Sequence, residues 1–270
     1  MRGWILYKQR PGFSRPQSHG INRLLEYAKN NSIDLDYVVS ESLDLNGPYP
    51  DFIIARTGPY TSLLDLEILD HFKNKGVRLI NSPQSIKIVN DKFLSLKVLA
   101  ENNIPVPNTS LFEPSLEINF PVVVKTLSGA QGKGVSLCEN KQDFKDLLAK
   151  LRGEKILVQE FIESSAGRDL RVFTVGGRPV ACVERTGPSG DFRANFSLGG
   201  SVKSYPLTDE IKELAIKTSK ILNLDVAGVD LLFAGDHFKV CEANFSPGFA
   251  SIEKCTEVNI PKEIFDFIKN

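Results

Sequence analysis

The stretch "GVDLLFAGDHFKVCEANFSPG", residues 228–248, predicts two β-strands joined by a turn, yet two carboxylates, Asp230 and Glu242, lie among its apolar residues. A lone carboxylate buried in such surroundings is strongly destabilising. We therefore expect either that positively charged groups meet Asp230 and Glu242 or that both carboxylates face water.

The register of this predicted hairpin determines the side to which each carboxylate points. Glu242 and Asn244 are two residues apart on one strand, so they share a face. A three-residue loop over 235–237 would place Asp230 opposite Glu242, and such loops are a common hairpin type. A two-residue loop would instead pair Asp230 with Cys241 and turn Glu242 to the other face.

With the three-residue loop, the oxygen-bearing side chains of Asp230, Glu242 and Asn244 would share one face, as an oxygen-lined site requires. Such a site suits Mg²⁺, which takes few protein ligands and completes its shell with phosphate and water. The alternative is a charged hairpin that faces solvent. Apolar residues on both faces disfavour that alternative, namely Leu231, Leu232, Phe233, Phe238, Val240 and Cys241.

The composition indicates a globular protein with no global charge. The chain has 270 residues, 41% of them hydrophobic, and this length predicts two or three modules. Its 33 basic residues balance 33 acidic ones, so we expect neither nucleic acid nor a membrane surface as partner. The apolar run "WILY" is too short for a signal peptide, and no segment is long enough to span a bilayer, which favours a cytoplasmic location.

The cysteines are scattered, at positions 138, 182, 241 and 255, and form no C-x-x-C pair. The three histidines are equally dispersed. This spacing indicates neither a zinc site nor a disulfide framework, so we expect reduced thiols that pack as small apolar groups. The residue types that remain for a metal ion are carboxylates.

The alternation of patterns predicts three modules. In the first, residues 1–83, the strands "WILYK", "LDYVV", "PDFIIAR" and "VRLIN" alternate with two helices, which predicts an α/β domain with a parallel sheet. The second, residues 84–157, begins with one long helix, "SIKIVNDKFLSLKVLAENN", followed by strands around a glycine-rich loop. The third, residues 158–270, reads as antiparallel hairpins with a helix on one side, an α+β layer.

The loop "SGAQGKG", residues 128–134, is a candidate phosphate-binding flap. Its glycines, Gly129, Gly132 and Gly134, let the backbone approach a ligand and point N–H groups at an anion. It matches neither the Walker A nor the dinucleotide-binding pattern, and a plain hairpin turn is the alternative. Lys125, at the end of "PVVVK", is well placed to meet phosphates, and Lys92 could act likewise. Both lysines could equally be solvated surface residues.

Five motifs follow one another over roughly residues 80–260, namely "VVVKTLSGAQGKGV", "VQEFIESSAGRDLRVFTVGGRPV", "RTGPSGDFRANFSLGG", "AGVDLL" and "CEANFSPGFASIE". In this order they resemble a known family, the ATP-grasp carboxylate–amine ligases of the RimK type. The stretches "GRDLRV", "VGGRPV" and "FSLGG" are also similar to N-acetylaspartylglutamate synthetases, whereas "NFSPGFASIE" is closer to the ribosomal-protein glutamate ligases.

The resemblance implies an ATP-grasp fold, with an N-terminal α/β pre-ATP-grasp domain and the nucleotide between the two later domains. It also implies two Mg²⁺ or Mn²⁺ ions held by Asp230, Glu242 and Asn244. The residues that would bind ATP are Lys92, Lys125, Ser128, Gly129, Gly132, Gly134, Glu160, Phe161, Ile162, Asp169 and Arg193. Arg171, Arg185 and Arg193 would steady the phosphate and the acyl intermediate in catalysis, and Asn195 would contact substrate.

The reaction implied by the resemblance has two steps. A carboxylate takes the γ-phosphoryl group of ATP and becomes an acyl phosphate, and the amine of an amino acid, glutamate above all, then displaces phosphate to form an amide. The carboxylate could belong to an acidic small molecule, a peptide or a protein C terminus, and homo-oligomers are frequent in this family. A small-molecule kinase and a non-catalytic nucleotide-binding module are the competing hypotheses.

Arg56 is a further candidate substrate residue. It ends the predicted strand "PDFIIAR", and ligands of open α/β sheets bind outside the carboxyl ends of strands. A guanidinium there could hold a carboxylate through two parallel hydrogen bonds. An arginine that forms a salt bridge where two domains meet is the alternative.

Overall fold

A computed structural model describes residues 1–8, 16, 18–127, 134–194 and 199–270. Three of the predicted site residues from the glycine-rich loop, Ser128, Gly129 and Gly132, and the substrate residue Asn195 lie outside the described ranges. The strands of this part of the chain form three sheets. None of the helices in this part of the chain is long and apolar enough to cross a membrane.

The first sheet is parallel, as the alternation of strands and helices predicted. Its strands are β1 (Arg2–Tyr7), β2 (Asp34–Val38), β3 (Phe52–Arg56) and β4 (Arg78–Ile80), in the order β2-β1-β3-β4. Helices α1 (His19–Asn30) and α2 (Leu63–Asn74) make the crossovers. Alternate residues of β1 pack on opposite sides, Ile5 with the α1 residues and Trp4 with Phe72 of α2, so both faces are covered.

Two helices, not one, connect the first sheet to the second. They are α3 (Pro83–Asn90) and α4 (Lys92–Glu101), and the single long helix predicted for this segment is wrong. Asp91 has an extended backbone, with φ −88° and ψ 101°, and its side chain accepts hydrogen bonds from the N–H groups of Phe93 and Leu94. An aspartate in this role begins a helix, because it satisfies N–H groups that lack a partner within the helix.

The second sheet is antiparallel and carries the glycine-rich hairpin. Its strands are β5 (Thr109–Leu111), β6 (Val122–Thr126), β7 (Val135–Cys138) and β8 (Ile156–Glu160), in the order β5-β8-β6-β7. Helix α5 (Lys141–Leu151) packs on the face formed by Val122, Val124 and Val158, so Lys125 faces the opposite side. A domain boundary at residue 157 would cut β8, and a boundary after Glu160 leaves this strand whole.

The third sheet is also antiparallel and contains the opening hairpin of the sequence. Its strands are β9 (Arg168–Val175), β10 (Arg178–Thr186), β11 (Ser201–Ser204), β12 (Val226–Ala234) and β13 (His237–Asn244), in the order β11-β10-β9-β12-β13. Helix α6 (Asp209–Ile221) covers one face through Ile211 and Leu214. Helices α7 (Ala250–Cys255) and α8 (Ile260–Lys269), which the patterns did not predict, pack against Phe173 and Val183 of the other face.

Candidate active site

The hairpin of β12 and β13 places Asp230 directly opposite Glu242, as predicted, but not by the predicted loop. Ala234 pairs with His237, so the loop contains only Gly235 and Asp236. The register shifts between Asp230 and Leu231, because Leu231 pairs with Val240 and Cys241 has no partner. A β-bulge at Cys241 therefore supplies the extra residue that the three-residue loop was expected to supply.

The turn itself favours the shorter loop. Gly235 has φ +74°, a left-handed conformation that glycine adopts readily. Glycine at the first position of a two-residue loop is typical of the type II′ turn, whose twist matches that of paired strands. The prediction of a three-residue loop was wrong for this reason.

Two arginines meet the carboxylate of Asp230, which answers the question raised by its apolar surroundings. Arg171, its cross-strand neighbour on β9, donates from Nε and Nη2 to Oδ1 and Oδ2, both at 2.7 Å. Nη2 of Arg185 lies 2.9 Å from Oδ2. Burial alone would raise the pKa of Asp230, but the charges of Arg171 and Arg185 hold this pKa below its ordinary value.

Asp169 completes a network of four charged side chains, of which Arg185 and Asp230 are buried and Asp169 and Arg171 are half-buried. Arg185 pairs with Asp169 across β9 and β10 and donates from Nε and Nη2 to its two oxygens at 2.7 and 2.6 Å. Two carboxylates thus share two guanidinium groups. The pKa of Arg185 is raised, because the charges of Asp230 and Asp169 outweigh the effect of burial. The predicted nucleotide residue Asp169 therefore has both carboxylate oxygens bound to Arg185.

Contacts between β13 and the second sheet line the cleft between these two sheets. Nζ of Lys125 on β6 lies 3.6 Å from Sγ of Cys241. Nζ of Lys239 lies 3.0 and 2.8 Å from the two carboxylate oxygens of Glu160, at the end of β8. Burial would raise the pKa of Glu160, but its bonds from Lys239 and from the backbone N–H of Asn108 lower it. Sequence patterns did not single out Lys239.

Lys92 lies in the same cleft. Its Nζ donates to the carbonyl oxygen of Thr126 at 3.4 Å, and its pKa is lowered by burial and by the charge of Lys125 while Glu242 opposes the shift. The two predicted lysines and Glu242 therefore share one electrostatic environment. A site that holds two cations in this way attracts an anionic ligand.

Gly134 closes the hairpin of β6 and β7 where a side chain could not fit. Its carbonyl oxygen accepts a hydrogen bond from the N–H of Thr126 at 2.8 Å, and its φ is +74°. A Cβ at this position would lie 2.1 Å from the hydroxyl oxygen of Thr126. This glycine is therefore required by the turn at the base of the loop, whatever ligand the loop binds.

The loop that carries Arg193 packs over the start of β9. The carbonyl oxygen of Phe192 accepts a hydrogen bond from the N–H of Gly167 at 2.8 Å, and the Phe192 ring meets that of Phe161 edge-on at 6.3 Å. Nη2 of Arg193 lies 2.7 Å from a carboxylate oxygen of Asp191. Hydrogen bonding to Asp191 raises the pKa of Arg193. Phe161 and Ile162 are half-buried, directly after β8.

Arg56 lies apart from the four-charge network but contacts the segment that follows β13. Its Nη1 donates to the carbonyl oxygen of Pro247 at 3.0 Å, and its guanidinium carbon lies 5.9 Å from the centre of the Phe249 ring. Within the described ranges no carboxylate pairs with Arg56, and burial lowers its pKa to about 10. The alternative for Arg56, a salt bridge where two domains meet, is therefore not formed within the described ranges.

The residues predicted to hold a metal ion offer hard oxygen ligands. Glu242 and Asn244 are half-buried, and neither side chain accepts a hydrogen bond from the part of the chain that the structure describes. Asp230 already accepts three hydrogen bonds, which leaves about one of the four lone-pair positions of a carboxylate. In the described residues no three carboxylate, thiol or imidazole groups converge as a metal site. Two carboxylates and an amide fit Mg²⁺, which also takes phosphate and water ligands.

A pocket of about 400 Å³ beside the second sheet adjoins this cleft at Glu160. Val122 and Val158 line it, and they are on the face that packs against α5. Lys125 points to the other face. The pocket therefore does not include the lysines, arginines and carboxylates described above, apart from Glu160 at its rim.

Comparison with known proteins gives the same picture over most of the chain. A family model, the RimK-like ATP-grasp domain, matches residues 89–268. A protein of Haemophilus influenzae, named a probable alpha-L-glutamate ligase, is 37% identical over 228 residues, which cover 81% of this chain and 76% of that protein.

Solved structures share the fold. The ATP-grasp ligase PsnB, complexed with a phosphomimetic variant of its minimal precursor, Mg and ADP, superposes with a TM-score of 0.76 at 16% identity, over 98% of this chain and 97% of that one. The D-alanine–D-alanine ligase of Bacillus anthracis, complexed with ATP, gives 0.74 at 18% identity, over 99% and 95% of the two chains. At these identities the likeness concerns the fold, and it confirms the predicted ATP-grasp architecture. With the family model and the curated relatives in agreement, this chain belongs to the RimK-like ATP-grasp family.

Proposed function

We propose that this ATP-dependent carboxylate–amine ligase adds L-glutamate, through its α-amine, to the carboxylate of an acidic small molecule, a peptide or a protein C terminus. The single observation that carries the proposal is the cleft between the second and third sheets, where Lys125 contacts the thiol of Cys241, the residue before Glu242, and Lys92 lies close enough to feel the charge of Glu242, beside the Asp230 network. Glutamate as the amine substrate is supported by the names of the curated relatives. The comparisons do not favour the kinase alternative.

The chemistry requires activation of a carboxylate. A carboxylate oxygen of the acceptor forms a bond to the γ-phosphorus of ATP as the bond from that phosphorus to the bridging oxygen breaks, which yields an acyl phosphate and ADP. The amine nitrogen then attacks the acyl carbon, phosphate leaves, and the nitrogen loses a proton. The enzyme contributes mainly by positioning and by stabilising charge.

In this proposal the chain holds ATP through groups from both sheets. Lys125 and Lys92 face the phosphates, and Ser128, Gly129 and Gly132 bind the nucleotide with them. Glu160 and the backbone through Ile162 hold the adenine, and Asp169 acts through Arg185. Arg171, Arg185 and Arg193 stabilise charge on the group being transferred, and Asn195 contacts substrate.

The metal is assigned in the same way. The structure of the ATP-grasp ligase PsnB contains Mg and ADP, and we propose that in this chain two ions, Mg²⁺ or Mn²⁺, bind Asp230, Glu242 and Asn244. When bound, such ions offset the negative charge of the phosphates and of the transition state. Glu242 would supply most of the protein charge, because the charge of Asp230 is already balanced by two arginines.

The product tests the proposed function. The enzyme is incubated with ATP, Mg²⁺, glutamate and a panel of small acids and acidic peptides, and ADP release is followed together with the mass of the product. We expect a product heavier by one or more glutamyl residues. Hydroxylamine in place of glutamate should give a hydroxamate that depends on ATP, Mg²⁺ and the correct acid. A stable phosphate ester formed without any amine would show a kinase instead.

Arg56 provides a test of substrate recognition within this proposal. It is a half-buried cation with no carboxylate partner among the described residues, so a substrate carboxylate is a suitable counter-ion. We expect Arg56→Ala to raise the KM for glutamate or for the acid by about tenfold, equal to about 1.4 kcal/mol, and to leave the KM for ATP unchanged. Arg56→Lys keeps the positive charge but loses the planar guanidinium, so its KM should lie between those of the wild type and Arg56→Ala.

Steady-state kinetics with each substrate varied in turn measures this effect. If the KM values for all three substrates rise together, or none does, then Arg56 serves only to hold the Pro247 carbonyl.

A further inference from the structure

Asn81 is a fully buried side chain at the junction between the first and third sheets. It follows directly after β4 and has no exposed surface. Its Nδ2 donates to the carbonyl oxygens of Val226 at 2.7 Å and Phe245 at 2.8 Å. Its Oδ1 accepts from the N–H groups of Asp225 at 2.6 Å and Val226 at 3.0 Å. An amide side chain can make four such bonds, and all four are made.

These bonds join the two strands of the catalytic hairpin at its open end. Val226 begins β12, which carries Asp230, and Phe245 directly follows Asn244 at the end of β13. Pairing between the two strands starts at Gly228 and Asn244, so no cross-strand pair holds Val226 to Phe245. The amide nitrogen of Asn81 bonds to both carbonyls and thereby spans the gap.

The neighbouring strand of the first sheet supports the same segment. Arg56, at the end of β3, donates to the carbonyl oxygen of Pro247, two residues beyond Phe245. Pro247 in turn packs against Gly228, where a Cβ would lie 2.8 Å from the proline ring and 3.4 Å from Nε of Arg171. The chain that leaves Asn244 is thus fixed to the first sheet at two alternate carbonyls and lies beside the four-charge network.

We propose that Asn81 is a positioning residue for Asn244 and Glu242, so that the first sheet sets the geometry of the proposed metal ligands. This inference rests on the proposed function for the role of those two residues. Asn81 touches no substrate and acts only through the backbone. Partners that orient the ligands of a metal typically change its affinity or the activity by about 10- to 100-fold when they are replaced.

The test compares Asn81→Asp and Asn81→Ser with a matched control at the same junction. Asn81→Asp keeps the shape but replaces the donor of both carbonyl bonds, and Asn81→Ser shortens the side chain with less risk of burying a charge. The control is Arg78→Ala. Arg78 lies on β4 and donates to the carbonyl oxygens of Ile268 and Phe267 at 2.8 and 3.0 Å, so its loss removes two similar bonds far along the chain from Asn244.

Two measurements separate positioning from stability. The first is the Mg²⁺ concentration that gives half the maximal rate, which we expect to rise about tenfold in both Asn81 variants and to stay unchanged in Arg78→Ala. The second is amide hydrogen exchange of the protein without ATP or metal, in which the segment 245–249 should exchange faster in the Asn81 variants only. Thermal unfolding of all three variants reports the common loss of stability.

Opposite results would overturn the proposal. If the Asn81 variants lose stability as Arg78→Ala does but keep the wild-type Mg²⁺ requirement and the wild-type exchange of 245–249, Asn81 only joins the two modules. A wild-type enzyme that fails to ligate glutamate contradicts the proposed function instead, and the exchange experiment still decides whether Asn81 holds the segment. If Asn81→Asp does not fold, the same outcomes are judged on Asn81→Ser.

Discussion

Replacing Asp230 by asparagine is expected to lower the ligation rate by about a hundredfold or more, because the site would hold its metal ion less well and the charge that develops in the transition state would lose that counter-ion. The substitution keeps the shape of the side chain but removes the charge that balances Arg171 and Arg185. Removing one partner of a buried ion pair typically also costs about 3–5 kcal/mol of stability. We therefore expect a lower melting temperature as well as a lower rate.

The rate must be expressed per folded molecule, at a temperature where the variant remains folded by circular dichroism. Asp236→Asn is the matched control, because Asp236 lies in the turn of the same hairpin and is fully exposed. It should have the wild-type rate. A folded Asp230→Asn enzyme with the rate of this control would contradict the assignment of Asp230.

The sequence predicted the face shared by Asp230 and Glu242 but not the feature that creates it. Deriving the register from the loop length assumes that every residue pairs one-to-one across the two strands. A β-bulge breaks this pairing, and the pattern of apolar residues does not reveal it. Cys241 looks like any small core residue in the sequence, yet it is the residue without a cross-strand partner. Glycine at 235, read as the first residue of a two-residue turn, was the available signal for a bulge.

The pairing of charges was predictable in kind but not in detail. Buried carboxylates need positive partners, and "GRDLR" places Asp169 and Arg171 on one face of a strand because they are two residues apart. Which arginine meets which carboxylate depends on the order of β10, β9 and β12 in the sheet, and these strands are far apart in the chain. The role of Asn81 depends on the same long-range packing, since it is one of many asparagines in polar segments.

The helix break at Asp91 is a different case, because local signals were present. Asp91 precedes an apolar run, which is a usual place for a residue that caps a helix. The continuous helical spacing from Ile86 to Leu99 concealed it, because two helices with nearly the same apolar face read as one. The helix break is therefore determined by the capping side chain of Asp91 and not by the helical spacing of the apolar residues.

Glu242→Gln is expected to lower the rate by about a hundredfold or more as well, but without a matching loss of stability. Glu242 is half-buried and forms no hydrogen bond or ion pair within the described residues, so its neutral isostere leaves no partner unsatisfied. The variant should melt close to the wild type, bind ATP through Lys125 and Lys92, and need more Mg²⁺. Calorimetry measures the stability and kinetics measures the rate. The matched control is Glu257→Gln, because Glu257 is an exposed residue that follows α7.

Comparing the two hairpin variants therefore separates two functions of neighbouring carboxylates. We expect Asp230 to stabilise the sheet and the site together and Glu242 to serve the chemistry alone. A Glu242→Gln enzyme that unfolded like Asp230→Asn or turned over like Glu257→Gln would contradict this division.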